Sequence, residues 1–183
     1  MRDLVIFIPS IEGGGVEKNL FYIIKFFKTK FENIFLITGD KLSKNFFGNN
    51  VKLITPKSKF YNNKPRVLKS LICSLLLFNN FKNKDILIFS FQSNFFSTLI
   101  SKIINSKLII RLNTSPEKYS LPFHKKFIFK ILYGFADEII VNSYEFKKNI
   151  KKYFNLRSHV ILNPIKINHI KKKINFFKNF NGL

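Results

Sequence analysis

The sequence is poor in the residues that build cross-linked or membrane-spanning proteins. Cys73 is the only cysteine among 183 residues, which excludes an internal disulfide. No uninterrupted apolar run reaches the roughly 18 residues of a transmembrane helix, and Leu71–Phe78 is among the longest mostly apolar runs. Met1–Ile8 is apolar for too few residues to be a signal peptide, and no small-residue cleavage site follows it. These absences favour a cytoplasmic protein. The apolar helical setting of Cys73 favours a buried structural thiol over a reactive one.

Acidic residues are also scarce. The chain has 10 Asp and Glu residues against 32 Lys and Arg residues, which gives a formal net charge of +22. Four of the basic residues are Arg and Ala136 is the only alanine, whereas Lys, Asn, Ile and Phe are abundant. Those four are the residues of AT-rich codons, which favours a genomic origin for much of the bias over a polyanionic partner. The charge still attracts anionic surfaces through its screened long-range field.

Short apolar segments alternate with helical patterns along the chain. Predicted strands cover Leu4–Ile8, Ile34–Thr38, Val51–Ile54, Asp85–Ser90, Lys107–Leu112, Glu138–Val141 and His159–Leu162. Predicted helices cover Val16–Lys28, Arg66–Phe78, Ser93–Ile104, Phe123–Phe135 and Tyr144–Tyr153. Strands that are apolar on both faces belong to a parallel sheet covered by helices. The sequence therefore predicts an α/β, Rossmann-like, doubly wound and mostly parallel sheet of about seven strands with helices on both faces.

A triple glycine is the most informative motif. Gly13, Gly14 and Gly15 follow the first strand and open the first helix. Glycines at such a turn let the backbone approach a ligand closely, and the exposed N–H groups of the helix start favour an anion or a sugar hydroxyl. The third glycine of a dinucleotide-binding string and the Lys-Ser/Thr of a phosphate-binding loop are both missing. A tight turn without a ligand is the alternative interpretation.

The string Ile8–Lys18 resembles the opening of glycosyltransferase family 4, whose members carry Gly-Gly-Ala/Val-Glu-Arg/Lys after the first strand. Further matching strings follow in the same order at Ser90–Asn94, Arg111–Pro116, Ala136–Ser143 and Val160–Ile165. The resemblance covers about residues 1–168. It implies one half of a retaining GT-B enzyme, with an N-terminal domain over residues 1–165 and a basic linker or tail over residues 166–183.

The resemblance also implies a division of labour. In the family, the N-terminal domain receives the acceptor and the C-terminal domain holds the nucleotide-sugar. Here the chain stops where that second domain would begin, so the donor-side residues have no counterpart in it. The expected function is that of the acceptor-side domain of a hexosyltransferase for cell-envelope glycan or lipid-linked saccharide synthesis, truncated before the donor-binding domain and inactive alone. A nucleotide-sugar is the expected co-substrate, and no other cofactor is implied.

The resemblance points to a set of substrate-binding residues. These candidates are Gly13, Gly14, Gly15, Gln92, Arg111, Asn113 and Thr114. Asn113 falls where many family members have a histidine near the reacting sugar. An asparagine cannot act as an acid or a base, although it donates and accepts hydrogen bonds, so no catalytic residue is assigned. Arg111 is a candidate for binding an acceptor phosphate, with pairing to a local carboxylate as the alternative. The histidines lack metal-ligand spacing, and no metal is expected.

The helix Phe123–Phe135 suggests a membrane contact. Its residues Phe127, Ile128, Ile131, Leu132 and Phe135 are expected to face the sheet. The opposite side would then present Lys125, Lys126, Phe129, Lys130 and Tyr133. Aromatic side chains between lysines suit the headgroup region of an anionic bilayer, which predicts peripheral binding to the inner membrane face. The alternative is composition alone, because a chain rich in Phe and Lys places them everywhere.

Three other interpretations remain open. In the first interpretation, the chain is a non-catalytic subunit that pairs with a separate donor-binding chain. In the second, it is a fragment of a longer enzyme. The third interpretation is a basic nucleic-acid-binding protein. Against it, the sequence has no RNA-recognition string, no zinc ligands and no helix-turn-helix pattern, and its lysines are spread along the chain. Nucleic acid is therefore not expected as a partner.

Overall fold

The computed structural model describes residues 2–11, 15–40, 47, 51–57, 64–114 and 122–163. Within these residues, seven strands and five helices alternate along the chain. The strands are β1 (Asp3–Phe7), β2 (Ile34–Ile37), β3 (Val51–Ile54), β4 (Ile86–Ser90), β5 (Lys107–Leu112), β6 (Glu138–Val141) and β7 (His159–Val160). The helices are α1 (Gly15–Phe27), α2 (Arg66–Phe81), α3 (Asn94–Ile103), α4 (Phe123–Gly134) and α5 (Tyr144–Phe154).

The strands form one parallel sheet. Their order is β3-β2-β1-β4-β5-β6-β7, and each strand runs parallel to its neighbours. From β1 the chain moves outward in one direction to β3, and from β4 it moves outward in the other direction to β7. This reversal places the loops after β1 and β4 side by side at the carboxyl edge, where doubly wound sheets bind their ligands. The predicted fold class is confirmed.

Two hydrophobic layers flank the sheet, because successive strand side chains point to opposite faces. Leu4 and Ile6 of β1 belong to the layer that contains Leu20 and Ile24 of α1, which we call the first face. Val5 and Phe7 belong to the opposite layer, the second face, which contains the inner sides of α2 and α5. Residues of α3 and α4 pack against that layer as well. Helices therefore cover both faces, and four of the five described ones lie on the second face.

The largest difference from the predicted boundaries is at the end of α2. The predicted helix ends at Phe78, just before the pair Asn79-Asn80, but α2 continues to Phe81. The Phe81 side chain is fully buried in the second face, and Asn80 Nδ2 donates to the carbonyl of Leu76 at 2.8 Å. Burial of a phenylalanine stabilises by more than the weak helix propensity of asparagine costs, so the helix extends by one turn.

Cys73 lies on the inner side of α2. Its side chain is fully buried, which confirms the prediction of a structural thiol. Burial raises the pKa of the Cys73 thiol to about 12, and the nearby Asp40 carboxylate adds to the effect. Because the thiolate is the nucleophilic form, this cysteine is unreactive at neutral pH. In the described part of the chain, no helix is long and apolar enough to cross a membrane.

Candidate functional site

The loops that follow β4 and β5 form a polar pocket at the carboxyl edge of the sheet. Its volume is about 380 Å³. The polar residues that line it include Arg66, Gln92, Ser93, Asn94, Asn113 and Thr114. One wall of the pocket is aromatic and consists of Phe95, Phe129 and Tyr133. The structure thus brings together Gln92, Arg111, Asn113 and Thr114, four of the substrate-binding candidates from the sequence analysis.

Two amide side chains define the hydrogen-bonding character of the pocket. Asn113 Nδ2 donates to the carbonyl of Phe91 at 2.6 Å, which fixes the orientation of the Asn113 amide. Gln92 Oε1 is buried and has no hydrogen-bond partner among the described residues. A buried oxygen without a donor is destabilising, so this site favours a ligand or water that supplies an O–H or N–H group.

A network of small polar side chains holds the β4–α3 loop behind the pocket. Ser90 Oγ donates to Asn94 Oδ1 at 2.8 Å, and Ser97 Oγ donates to Ser90 Oγ at 2.8 Å. Asn94 Nδ2 in turn donates to the carbonyl of Arg111 at 3.1 Å, which joins the loop to β5. Ser93 has the left-handed backbone conformation, with φ of 55°. Sequence reasoning had selected Ser90–Asn94 as a matching string but had assigned no role to Asn94.

Arg111 also lines the pocket, and its guanidinium group bonds to the segment that follows β7. The residue is 1% exposed, and its Nη2 donates to Asn163 Oδ1 at 2.7 Å and to the carbonyl of Ile161 at 3.5 Å. Burial lowers the pKa of the Arg111 guanidinium below its ordinary value. Arg111 Nε has no hydrogen-bond partner among the described residues. In this position the guanidinium binds the segment that follows β7. Its binding of an acceptor phosphate stays a prediction.

We expect the substitution Arg111→Met to raise the free energy of unfolding by about 1–2 kcal/mol, because it removes a buried charge while keeping most of the apolar packing. No carboxylate among the described residues pairs with this guanidinium. Urea unfolding followed by circular dichroism measures the change. Arg111→Lys, which keeps the charge, is the control and is expected to destabilise. If Arg111→Met lowers stability as much as Arg111→Lys, the hydrogen bond to Asn163 outweighs the desolvation of the charge.

The glycine loop falls only partly in the described structure. Gly13 and Gly14 lie outside the described residues. Gly15 is the first residue of α1, and a Cβ built there would meet no neighbouring heavy atom within 4 Å. No contact in the described structure therefore requires glycine at position 15. Ligand binding by this loop stays a prediction.

A buried ion pair lies next to the start of that loop and was missed by the sequence analysis. Lys69 of α2 is 7% exposed, and its ammonium group pairs with the Asp40 carboxylate. Asp40 Oδ2 also accepts a hydrogen bond from the backbone N–H of Ile11 at 2.6 Å. Gly39 N donates to the carbonyl of Pro9 at 2.9 Å. These contacts join the ends of β1 and β2 to α2. Lys69 itself could have indicated the ion pair, because it lies four residues before Cys73 on the inner side of a helix. A buried lysine requires a partner of opposite charge.

The predicted faces of α4 are wrong. Phe129 and Tyr133, expected to point outward, are half-buried and pack against the second-face core. The exposed apolar residues of this helix are instead Phe127, Ile128, Ile131 and Phe135. Leu132 is buried as expected, and Lys130 is exposed as expected. Both arcs of the helix carry phenylalanine, so apolar periodicity alone could not decide which arc turns inward.

The lysines of α4 are placed unevenly. Lys126 is half-buried, and its Nζ lies 5.4 Å from the ring centroid of Tyr153 on α5. The side chain of Lys125 lies outside the described part of the structure. The five residues proposed as membrane-facing therefore do not form one outward surface. A membrane contact of this helix stays a prediction, and the residues that would make it are different.

A second cavity of about 610 Å³ lies at the amino ends of β6 and β7, opposite the strand-following loops. Its carboxylates are already engaged. Asp137 pairs with Lys107 at 2.9 Å, and Glu138 pairs with His159 at 2.9 Å. Among the residues that the structure describes, no group of three or more His, Cys, Asp or Glu side chains is arranged to hold a metal ion.

Comparisons with known proteins give a similarity of fold. No family model matches the chain. No curated protein matches it either. Among solved structures, Anabaena HepE in complex with UDP and glucose is 17% identical with a TM-score of 0.65, and the match covers 96% of this chain and 50% of that one. The lipopolysaccharide outer core galactosyltransferase WaaB is 16% identical with a TM-score of 0.58, over 91% of this chain and 47% of that one. Phytolacca americana UGT2, complexed with UDP-2-fluoro-glucose and pterostilbene, is 12% identical with a TM-score of 0.53, over 90% and 54%.

These structural neighbours are GT-B glycosyltransferases, and the chain spans about half the length of each. The seven-stranded parallel sheet with its five described helices therefore has the fold of one half of a GT-B glycosyltransferase. At these identities the likeness establishes the fold alone.

Proposed function

We propose that the chain is the acceptor-side domain of a sugar-nucleotide-dependent glycosyltransferase of the retaining family 4, inactive alone. In this proposal residues 1–165 form the domain and residues 166–183 form a basic linker. The donor is held by a further domain or by a separate donor-binding chain. The observation that carries the proposal is the pocket at the carboxyl edge, built from Gln92, Asn113 and Thr114 on a GT-B half-fold.

The chemistry of the pocket suits a saccharide acceptor. A sugar presents hydroxyl groups that both donate and accept, and it requires side chains of both capacities. The Gln92 oxygen offers an acceptor, and the Asn113 amide and the Thr114 hydroxyl offer both. The aromatic rings of Phe95 and Tyr133 in the pocket wall offer an apolar surface to the ring face of a sugar. Because Asn113 has no acid or base function at neutral pH, the proposed role of these residues is to bind and orient.

The likeness to known structures supports the proposed donor and setting. HepE is bound to UDP, to UDP-glucose, or to UDP and glucose in its structures. WaaB is a lipopolysaccharide outer core galactosyltransferase. By analogy we propose a nucleotide-sugar as co-substrate and a cell-envelope glycan or lipid-linked saccharide as acceptor. The proposed location is the cytoplasm, with peripheral attachment to the inner membrane face. The excess of basic residues supports this attachment.

Saccharide binding by the isolated chain tests the proposal. In titrations followed by NMR, methyl glucoside and methyl galactoside are expected to shift signals of the pocket loops. The substitution Asn113→Ala is expected to weaken this binding about tenfold, because it removes hydrogen bonds at a partly buried site. The exposed Asn80 lies near the end of α2, about 21 Å along the helix from the pocket residue Arg66 at its start. Asn80→Ala therefore serves as the matched control with unchanged binding.

Two results would contradict the proposal. The first is tight binding of UDP-glucose by this chain alone, since we assign the donor site to a different domain or chain. The second is the absence of any saccharide-dependent change at Gln92, Asn113 and Thr114.

A further inference from the structure

Three neighbouring helices expose apolar stripes on the second face of the sheet. The exposed apolar side chains are Val67, Leu71 and Leu75 on α2, Phe95, Leu99 and Ile103 on α3, Phe127, Ile128 and Ile131 on α4, and Phe135 directly after α4. Spacings of three and four positions keep each set on one side of its helix. Because α2 contacts α3 and α3 contacts α4, the stripes lie next to one another. We call this set of ten residues the outer apolar face.

Helix α3 is partly reversed in polarity, although Ile100 packs against the second-face core. The side that packs against the sheet carries the buried residues Ser97, Thr98 and Ser101, which donate hydrogen bonds within the helix and to Ser90. The solvent side carries Leu99, which is 43% exposed, and Ile103, which is 65% exposed. A helix that faced only water would favour the opposite arrangement. The reversal indicates that the outer side of α3 meets an apolar environment.

Helix α2 also buries polar residues, together with the core residues Cys73, Leu77 and Phe81. Lys69, Ser70 and Ser74 are buried on its inner side. Val67 and Leu75 are more than half exposed on its outer side, at 63% and 61%. A continuous exposed apolar surface on neighbouring elements marks an interaction site, whereas scattered single residues do not.

The positive charge around the outer apolar face indicates which kind of partner binds there. No acidic residue occurs in α2, α3 or α4, and Lys102 Nζ lies 5.3 Å from the ring centroid of Phe135. The neighbouring helix α5 adds the exposed residues Lys147, Lys148, Lys151 and Lys152. Apolar side chains flanked by cations match the interfacial region of an anionic bilayer. A second copy of this chain would bring like charges together, which is unfavourable.

We propose that the outer apolar face docks on the surface of an anionic lipid bilayer. Phe95 belongs both to this face and to the wall of the saccharide pocket, and Arg66 at the pocket directly precedes Val67. Docking therefore brings the pocket to the membrane. This step rests on the proposed function. The acceptor of the proposed transferase is then a saccharide carried on a lipid, with the headgroup in the pocket and the lipid chain in the bilayer.

Vesicle sedimentation with the full chain tests the docking. Phosphatidylcholine vesicles that contain phosphatidylglycerol are expected to bind the chain at least about tenfold more tightly than pure phosphatidylcholine vesicles at low ionic strength. The triple variant Leu71→Gln, Leu99→Gln and Ile131→Gln, one change per helix, is expected to lower the partition coefficient at least about tenfold. The matched control replaces exposed apolar residues near the first face, as Phe26→Gln and Leu162→Gln, and is expected to bind as the wild type does.

The contribution of the basic helix is measured separately. Lys147→Gln and Lys148→Gln are each expected to weaken binding to the phosphatidylglycerol vesicles about fivefold, with little effect on pure phosphatidylcholine vesicles. Circular dichroism and thermal unfolding verify that each variant is folded. Should the triple variant not fold, the single substitution Leu99→Gln, expected to lower the partition coefficient about twofold or more, replaces it.

Several outcomes would overturn the docking proposal. These are equal binding to both kinds of vesicle, an equal loss of binding in the first-face control, and unchanged binding by the triple variant. A wild-type dimer that the triple variant converts to monomer would assign the face to a second copy instead. Since the triple variant leaves Gln92, Asn113 and Thr114 intact, titration with methyl glucoside in solution separates the two proposals. Saccharide binding without docking contradicts only the docking proposal. Docking without saccharide binding contradicts the proposed function and the acceptor class that rests on it, and leaves the docking in place.

Discussion

Replacing Asp40 with alanine is expected to lower the free energy of unfolding by about 3 kcal/mol, because it leaves the buried Lys69 ammonium without its partner. The same change removes the acceptor of the Ile11 N–H bond at the start of the glycine loop. Urea unfolding measures the loss. We expect the Asp40→Ala chain to unfold at a lower urea concentration, while the slope of the unfolding free energy against urea concentration stays unchanged.

A double-mutant cycle assigns the effect to the pair. Lys69→Met alone is expected to destabilise as well, and the double variant is expected to lose less than the sum of the single variants. The exposed ion pair between Arg2 and Asp85, at 2.7 Å, is the matched control. Its loss through Asp85→Ala is expected to change stability by less than about 1 kcal/mol. Additive effects of Asp40→Ala and Lys69→Met would show that the buried pair is not coupled.

Replacing Gly39 with alanine is expected to destabilise the fold by about 2 kcal/mol. A Cβ at this position would lie 2.9 Å from Lys69 Cβ and 3.0 Å from the backbone oxygen of Pro9. Neither neighbour can move easily, because Lys69 is held by Asp40 and the Pro9 carbonyl accepts the Gly39 N–H bond. Thermal unfolding is expected to show a decrease in Tm of about 5 °C.

Gly134 near the end of α4 provides the control for this substitution. A Cβ there would meet Leu156 Cδ2 at 3.7 Å, which is an ordinary contact. Gly134→Ala is therefore expected to leave stability unchanged or to raise it by up to about 1 kcal/mol through helix propensity. A Tm for Gly39→Ala at or above that of Gly134→Ala would contradict the account of close packing between β2 and α2.

The fold was predictable because its signal is local. Each strand is a short apolar run bounded by polar or turn residues, and β3, β5 and β6 have the predicted boundaries. Most of the other boundaries shift by one residue, and β7 ends two residues early at Val160. Alternation of apolar strands and helices restricts the topology strongly, since crossovers between parallel strands require an intervening element.

The contacts that shape the site were not predictable because they join distant parts of the chain. Asp40 and Lys69 are 29 positions apart, and Arg111 and Asn163 are 52 positions apart. Resemblance placed Gln92 and Asn113 at the cleft, but it could not reveal that Asn94 bonds the β4 loop to β5. The orientation of α4 was wrong for a different reason. Its sequence offers two apolar arcs of similar strength, and the neighbouring Tyr153 and Phe154 on α5 select the arc that contains Tyr133.

Arg111 gives the end of β5 two mechanical attachments. Its backbone carbonyl holds Asn94 at the pocket, and its guanidinium holds Asn163 beyond β7. Asn113, the first residue after β5, lies in the pocket itself. One residue thus ties the segment of residues 161–163 to the strand that shapes the pocket. Asn163 and the pocket residue Asn94 are therefore two ends of one connected set of contacts.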